Sequence, residues 1–193
     1  MKFIGFYDYT VILTYLSLIS AFIGMCLSYQ GTYGGAILCL ILSGICDAFD
    51  GTVARSKKNR TEDEKGFGIQ LDSLCDVVSF GIFPAFLCYC LGVKTTIGIV
   101  LLSFYCVCAV IRLAFFNVQE AKRQQVEAGS GKFYRGLPVT TISMLLPIVY
   151  LLRFVLPGDV FPLVLHILPA AVGFLFILDF PVKKPDLSKL FSK

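Results

Sequence analysis

Six long apolar stretches constrain this chain more than any other feature. They run roughly over Thr10–Ser28, Gly34–Phe49, Ile69–Leu91, Thr95–Val118, Leu137–Leu156 and Val160–Phe180. Most reach the ~20 residues needed to cross a hydrocarbon core of ~30 Å. The second is short in apolar terms, but its helix can continue through Arg55. In lipid each stretch must be helical, because every backbone amide needs an internal partner. Composition agrees: 56% of the 193 residues are hydrophobic, only 16% are charged, and mean hydropathy is +0.79. A soluble domain of this size has too much surface for its volume to hide that much apolar area. Disordered and collagen-like chains are excluded on the same figures. The expected fold class is therefore all-α integral membrane, a single domain over residues 1–193 with six transmembrane helices. The first stretch is too long for a signal-peptide core, and no small-residue cleavage site follows it.

The loops predict an orientation. Arg55, Lys57, Lys58, Arg60 and Lys65 follow the second stretch, and Lys122, Arg123, Lys132 and Arg135 follow the fourth. Lys183, Lys184, Lys189 and Lys193 lie in the tail and Lys2 at the start, whereas Tyr29–Tyr33 carries no charge and the loop near Lys94 carries one. By the positive-inside rule the basic loops and both termini face the cytoplasm, a parity that six spans satisfy. Asn59–Lys65 and Gln124–Lys132 read as polar loops. The net charge of +4 is spread between apolar runs, so no nucleic-acid partner is expected. The eight cysteines, at 26, 39, 46, 75, 88, 90, 106 and 108, form no CxxC pair and read as buried free thiols. With His166 as the single histidine, no zinc site is expected.

Four acids stand where a membrane disfavours them: Asp47 and Asp50 at the end of the second stretch, Asp72 and Asp76 at the start of the third. A carboxylate at membrane depth costs at least a few kcal/mol unless it has a partner or a function. Asp47, Asp50, Gly51 and Ala54 are spaced i, i+3, i+4, i+7, one face of a helix, and Gly68, Asp72 and Asp76 share another. If these faces meet, four carboxylates converge on one pocket. Such an oxygen-rich set suits a hard divalent cation, Mg²⁺ or Mn²⁺. The small residues leave room for a ligand, and Arg55 can pair with a phosphate. Phosphoryl-type transfer fits these parts, with one carboxylate available as general base. A cation or proton transporter also buries acids, and a solvated helix end or a non-catalytic scaffold is the plainer alternative.

The residues read Asp47-x2-Asp50-Gly51-x2-Ala54-Arg55-x12-Gly68-x3-Asp72-x3-Asp76. This resembles the signature of the CDP-alcohol phosphotransferases, D-x2-D-G-x2-A-R-x(n)-G-x3-D-x3-D. The resemblance implies a six-helix, homodimeric membrane enzyme that transfers a substituted phosphate from a CDP-linked donor to an alcohol and releases CMP. It implies a pair of Mg²⁺ or Mn²⁺ ions held by Asp47, Asp50, Asp72 and Asp76, with Asp76 as general base. It also implies donor contacts from Gly51, Ala54, Arg55 and Gly68. The spacer before Gly68 has twelve residues where eight is commoner. The place three residues before the glycine, often Thr or Ser, is Lys65 here, and Thr61 lies further back.

Further stretches resemble the phosphatidylserine synthase branch: LDSLCDVVSFG at Leu71–Gly81 followed by Pro84, IRLAFFN at Ile111–Asn117, and FYRGLP at Phe133–Pro138. Thr14 matches one position of the branch's opening stretch, while Val11 and Ser17 depart from it, as Phe115 does from RLARFN. This branch implies CDP-diacylglycerol and L-serine as substrates, in phospholipid biosynthesis at the cytoplasmic membrane. A relative using glycerol 3-phosphate or inositol phosphate is the alternative. Arg112, inside an apolar stretch, needs an anion: the acceptor's carboxylate, a donor phosphate or a structural acid, unless it snorkels to the interface. Asn117 either positions the acceptor or caps the fourth helix. Ser73 and Ser79 either polarise the pocket or pack helices.

Overall fold

A computed structural model of the protein describes residues 4–57, 59–125, 133–158 and 160–183. Seven α-helices make up nearly all of it. After a short turn at Tyr9–Val11 come α1 (Ile12–Tyr29) and α2 (Tyr33–Ser56). Then follow α3 (Glu62–Asp76), α4 (Phe83–Cys90), α5 (Thr96–Gln125), α6 (Ile142–Leu152) and α7 (Val160–Ile177). Among the described residues five segments are long and apolar enough to cross a membrane: Tyr9–Tyr29, Tyr33–Ala54, Glu62–Cys90, Thr96–Ala121 and Val160–Ile177. The protein is thus an integral membrane helical bundle, with Val139–Leu152 as a shorter sixth apolar helix.

The helices are apolar outward and small or polar inward. On α1, Ile12, Leu16, Ile19 and Ile23 form one exposed stripe, whereas Thr14, Ser17, Ala21, Gly24 and Ser28 are buried. On α5, Ile97, Val100, Phe104, Val107, Ile111, Phe115 and Val118 make a similar exposed stripe. Lipid is as apolar as leucine, so helix association in a membrane rests on close packing and interhelical hydrogen bonds. Both occur here. The Ser17 and Ser43 hydroxyls each donate to the other's carbonyl (3.3 and 3.0 Å), and Ser20 donates to the Cys39 carbonyl (2.9 Å). A Cβ at Gly24 would collide with the Phe83 ring, so glycine is what lets α4 lie against α1.

The third membrane segment departs from the sequence expectation at its start and in its middle. It begins at Glu62, within the expected Asn59–Lys65 loop, because Thr61 and Glu64 form a reciprocal cap that nucleates the helix early. In its middle, Val77–Ile82 form a π-helical turn. Pro84 has no N–H to return to the preceding turn. The freed Phe80 carbonyl finds a donor on α5 instead, the buried Tyr105 hydroxyl, and the Cys106 thiol donates to the Gly81 carbonyl (3.5 Å). Tyr105 also packs against Phe176 of α7, ring centroids 5.6 Å apart.

The fifth stretch is shorter than the expected Leu137–Leu156. Pro138 is extended (φ −62°, ψ 140°), and the helix starts only after a tight turn at Val139–Thr141. With turns after Leu152, the rod measures about 22 Å at ordinary helical rises. The chain also holds one short antiparallel pairing, β1 (Phe133–Arg135) with β2 (Pro181–Lys183), which ties the segment before α6 to the one after α7. All eight cysteines are free thiols, but burial is uneven: Cys26 is exposed, and Cys46, Cys75, Cys88 and Cys108 are buried. Lys2, Lys58, Lys132, Lys184, Lys189 and Lys193 lie outside the described residues.

Candidate active site

Three of the four acids meet as the helical spacing predicts. Carboxylate oxygens of Asp47, Asp50 and Asp72 all lie within 4.8 Å of one another. Asp76 is not one of that group; it lines the cavity beside Asp47 and Asp72. The supporting geometry differs from a simple α2–α3 contact. Helix α1 packs against both α2 and α3, which have little backbone contact with one another. Thr14 of α1 donates its hydroxyl to Asp50 (3.3 Å), a contact that the spacing of the acids gave no means to find.

This donor set fits a hard divalent cation. Among the described residues no lysine or arginine forms an ion pair with Asp47, Asp72 or Asp76, and Asp72 Oδ1 is buried without a hydrogen-bond partner. Carboxylates this close repel unless a proton or a cation lies between them. Three carboxylate oxygens gathered this closely are a ligand set that a Mg²⁺ or Mn²⁺ ion would draw together.

A cavity of about 710 Å³ opens beside the cluster. Asp47, Asp72 and Asp76 line it together with Arg112 of α5 and Val139–Thr141 of the turn before α6. Arg112 is 6% exposed, so it does not snorkel. Its Nε donates to the Leu137 carbonyl (3.0 Å), while Nη1 is buried with no partner among the described residues. The structure thus brings a cation with an unused donor into the cavity lined by the acids. Asn117 is placed elsewhere: its Oδ1 accepts from Ser73 (2.7 Å), tying α5 to α3, and it does not line this cavity. Ser79 is fully buried and accompanies Ser17 (3.3 Å), so both serines have helix-packing contacts.

Gly51 and Ala54 are half-buried on the α2 face that carries Asp47 and Asp50. The Arg55 side chain lies outside the described residues. Gly68 stands one turn before Asp72, and its open side is covered: a Cβ there would be 2.6 Å from Arg60 Nη2. Thr61 caps α3, and Lys65 pairs with the exposed Glu62 (2.7 Å). Lys57 bridges Asp8 (2.8 Å) and Glu64 (3.0 Å), and Phe6 meets Phe67 edge-on at 5.5 Å. The N-terminal segment is thereby strapped onto the start of α3. The Lys57 hydrogen bond, helped by Thr10, holds the Asp8 carboxyl down at about 2, and Asp8 in turn raises the Lys57 ammonium.

Residues 9–177 match the model of the CDP-alcohol phosphatidyltransferase family. The chain belongs to that family. Among the phosphatidyltransferases it is similar to a CDP-diacylglycerol–serine O-phosphatidyltransferase of Saccharomyces cerevisiae, 41% identical over 116 residues that cover 58% of this chain and 41% of the relative. An archaetidylserine synthase of Methanothermobacter thermautotrophicus is 34% identical over 144 residues, 74% of this chain and 58% of the relative. A CDP-diacylglycerol–serine O-phosphatidyltransferase of Bacillus subtilis is 37% identical over 89 residues, 45% of this chain and 48% of the relative. The chain thus spans about half the length of the curated relatives it matches. No solved structure matches it.

Proposed function

We propose that this phosphatidyltransferase-family chain joins CDP-diacylglycerol to L-serine, giving phosphatidylserine and CMP. The observation that carries the reading is one cavity lined by Asp47, Asp72 and Asp76 and by the buried, half-satisfied Arg112. The first is an arrangement for a phosphate donor, the second for an acceptor carboxylate. The relatives named for serine transfer favour the same acceptor.

Asp47, Asp50, Asp72 and Asp76 would hold divalent cations. When bound, these would neutralise the donor diphosphate and stabilise the leaving CMP. The remaining work falls to side chains of this chain. Asp76 takes the proton from the serine hydroxyl, being 7% exposed and lining the cavity. Thr14 fixes the rotamer of Asp50 through its hydroxyl. Gly51, Ala54, Arg55 and Gly68 bound the donor subsite, and Arg112 Nη1 takes the serine carboxylate. Asn117 serves the acceptor side indirectly, by holding α5 against α3 through Ser73. Among the described lining residues Arg112 is the single cation, which suits a zwitterionic acceptor better than a phosphorylated one. The reading carries with it a homodimer in the cytoplasmic membrane, with the site and both termini on the cytoplasmic side.

The test is CMP release by the purified protein with Mg²⁺ or Mn²⁺, CDP-diacylglycerol and a panel of alcohols. Release with serine is the expected result. Release only with glycerol 3-phosphate or inositol phosphate selects a relative's chemistry. No release under any condition points to a transporter or a scaffold.

A further inference from the structure

We propose that Arg60 is a donor-binding residue whose guanidinium grips the diphosphate of the nucleotide-linked substrate. The inference rests on the transferase reading above and names a contact within it. Arg60 precedes the Thr61 cap and folds back along α3, where its Nη2 donates to the Glu64 carbonyl (2.9 Å). That places the guanidinium directly over Gly68, on the helix face that carries Asp72 and Asp76. Gly68 and Asp72 stand four positions apart on the helix, a rise of ~6 Å, about the span of a diphosphate. A ligand entering against the Gly68 backbone therefore meets Arg60 before anything else.

Two observations make this a grip rather than a plug. Arg60 Nε is buried with no hydrogen-bond partner among the described residues, so the guanidinium's hydrogen bonding is incomplete without a ligand. Among the described residues of the spacer, Thr61 caps α3, Lys65 pairs with Glu62, and Lys57 holds both Asp8 and Glu64. Arg60 forms no ion pair among the described residues, although three acids, Glu62, Asp63 and Glu64, stand in the adjacent first turn. The strap of Phe6 on Phe67 and Asp8 on Lys57 fixes the segment, so the guanidinium is held in place before a ligand arrives. A guanidinium binds phosphate oxygens through parallel N–H donors, which a lysine cannot reproduce.

The experiment uses the full chain in phosphatidylcholine nanodiscs with Mn²⁺, titrated with CDP and with cytidine. R60Q should weaken CDP binding ~10- to 100-fold, the range for losing charge-assisted hydrogen bonds, and leave cytidine binding unchanged. R60K should fall between, because it keeps charge but not the fork. Unchanged CDP affinity in R60Q, or an equal loss for cytidine, overturns the assignment of Arg60 alone. Failure of the wild-type protein to bind CDP overturns the transferase reading itself and the assignment with it. Should R60Q not fold, R60K decides: a loss confined to CDP supports the grip, and wild-type affinity overturns it. If phosphatidic acid added to the disc competes with CDP in the wild type but not in the variant, a lipid phosphate occupies Arg60 and the nucleotide assignment fails.

Discussion

Replacing Arg112 with methionine should separate stability from function. Arg112 is 6% exposed, its Nε bonds to the Leu137 carbonyl at 3.0 Å, and its Nη1 has no partner among the described residues. A buried charge without a counter-charge costs several kcal/mol even after relaxation. Methionine keeps most of the stem volume and removes that cost. It also leaves the Leu137 carbonyl without its donor, a penalty of ~1–3 kcal/mol. The first effect is the larger, so Arg112→Met should raise the stability of the ligand-free protein by ~1–3 kcal/mol. In turnover the sign reverses. Losing charge-assisted bonds to an acceptor carboxylate removes ~1.5–3 kcal/mol, or ~10- to 150-fold in kcat/KM for serine. The KM for CDP-diacylglycerol should move by less than about threefold, since the donor makes no use of this contact. The assay is steady-state CMP release in nanodiscs with each substrate varied in turn, beside unfolding of the ligand-free protein. A variant that is destabilised, and equally impaired toward both substrates, would show Arg112 to be structural and refute the acceptor role.

Asp76→Asn should lower turnover ~10²- to 10⁴-fold while CDP binding stays within a few-fold of wild type, because a base is lost and the other three carboxylates remain; equal loss of binding and turnover would contradict a base role. Tyr105→Phe should cost ~1–3 kcal/mol in unfolding experiments by stranding the buried Phe80 carbonyl, and the cost should shrink in a Pro84→Ala background, where a backbone N–H returns. The Asp8–Lys57 strap has a defined pH window. The Asp8 carboxyl is depressed from 3.8 to about 2, so its contribution to stability is complete above pH 3.8 and is lost as pH falls through about 2. The Thr10 amide, which bonds to Asp8 at 2.8 Å, should therefore hold its chemical shift from pH 7 to 4; movement in that range would refute the pairing.

The acid cluster was legible because it depends on helical spacing alone. Asp47 and Asp50 share a face of α2 wherever that helix sits, and Asp72 and Asp76 a face of α3. The membrane plan was legible for the same reason, since length and apolarity decide it. What escaped depends on partners distant in sequence. Thr14 reaches Asp50 across 36 residues, and nothing local to either marks the contact. The π turn was hidden because the signal, Pro84, acts only together with the Tyr105 hydroxyl on another helix. Arg60 read as one charge of a basic loop, because no spacing rule says which residue of an irregular spacer folds back over Gly68. The early start of α3 is a different case: Thr61 and Glu64 stand at capping-box spacing, a local signal that the reading of Asn59–Lys65 as a polar loop left out.

Manganese binding to the ligand-free protein tests the central claim most directly, through the electron paramagnetic resonance signal of the ion in nanodiscs. Saturable binding is expected, abolished or weakened at least ~10-fold by Asp72→Asn and by Asp47→Asn, since each removes one of the converging oxygen ligands. Binding that survives both substitutions undiminished, or no binding by the wild-type protein at any concentration, would contradict it.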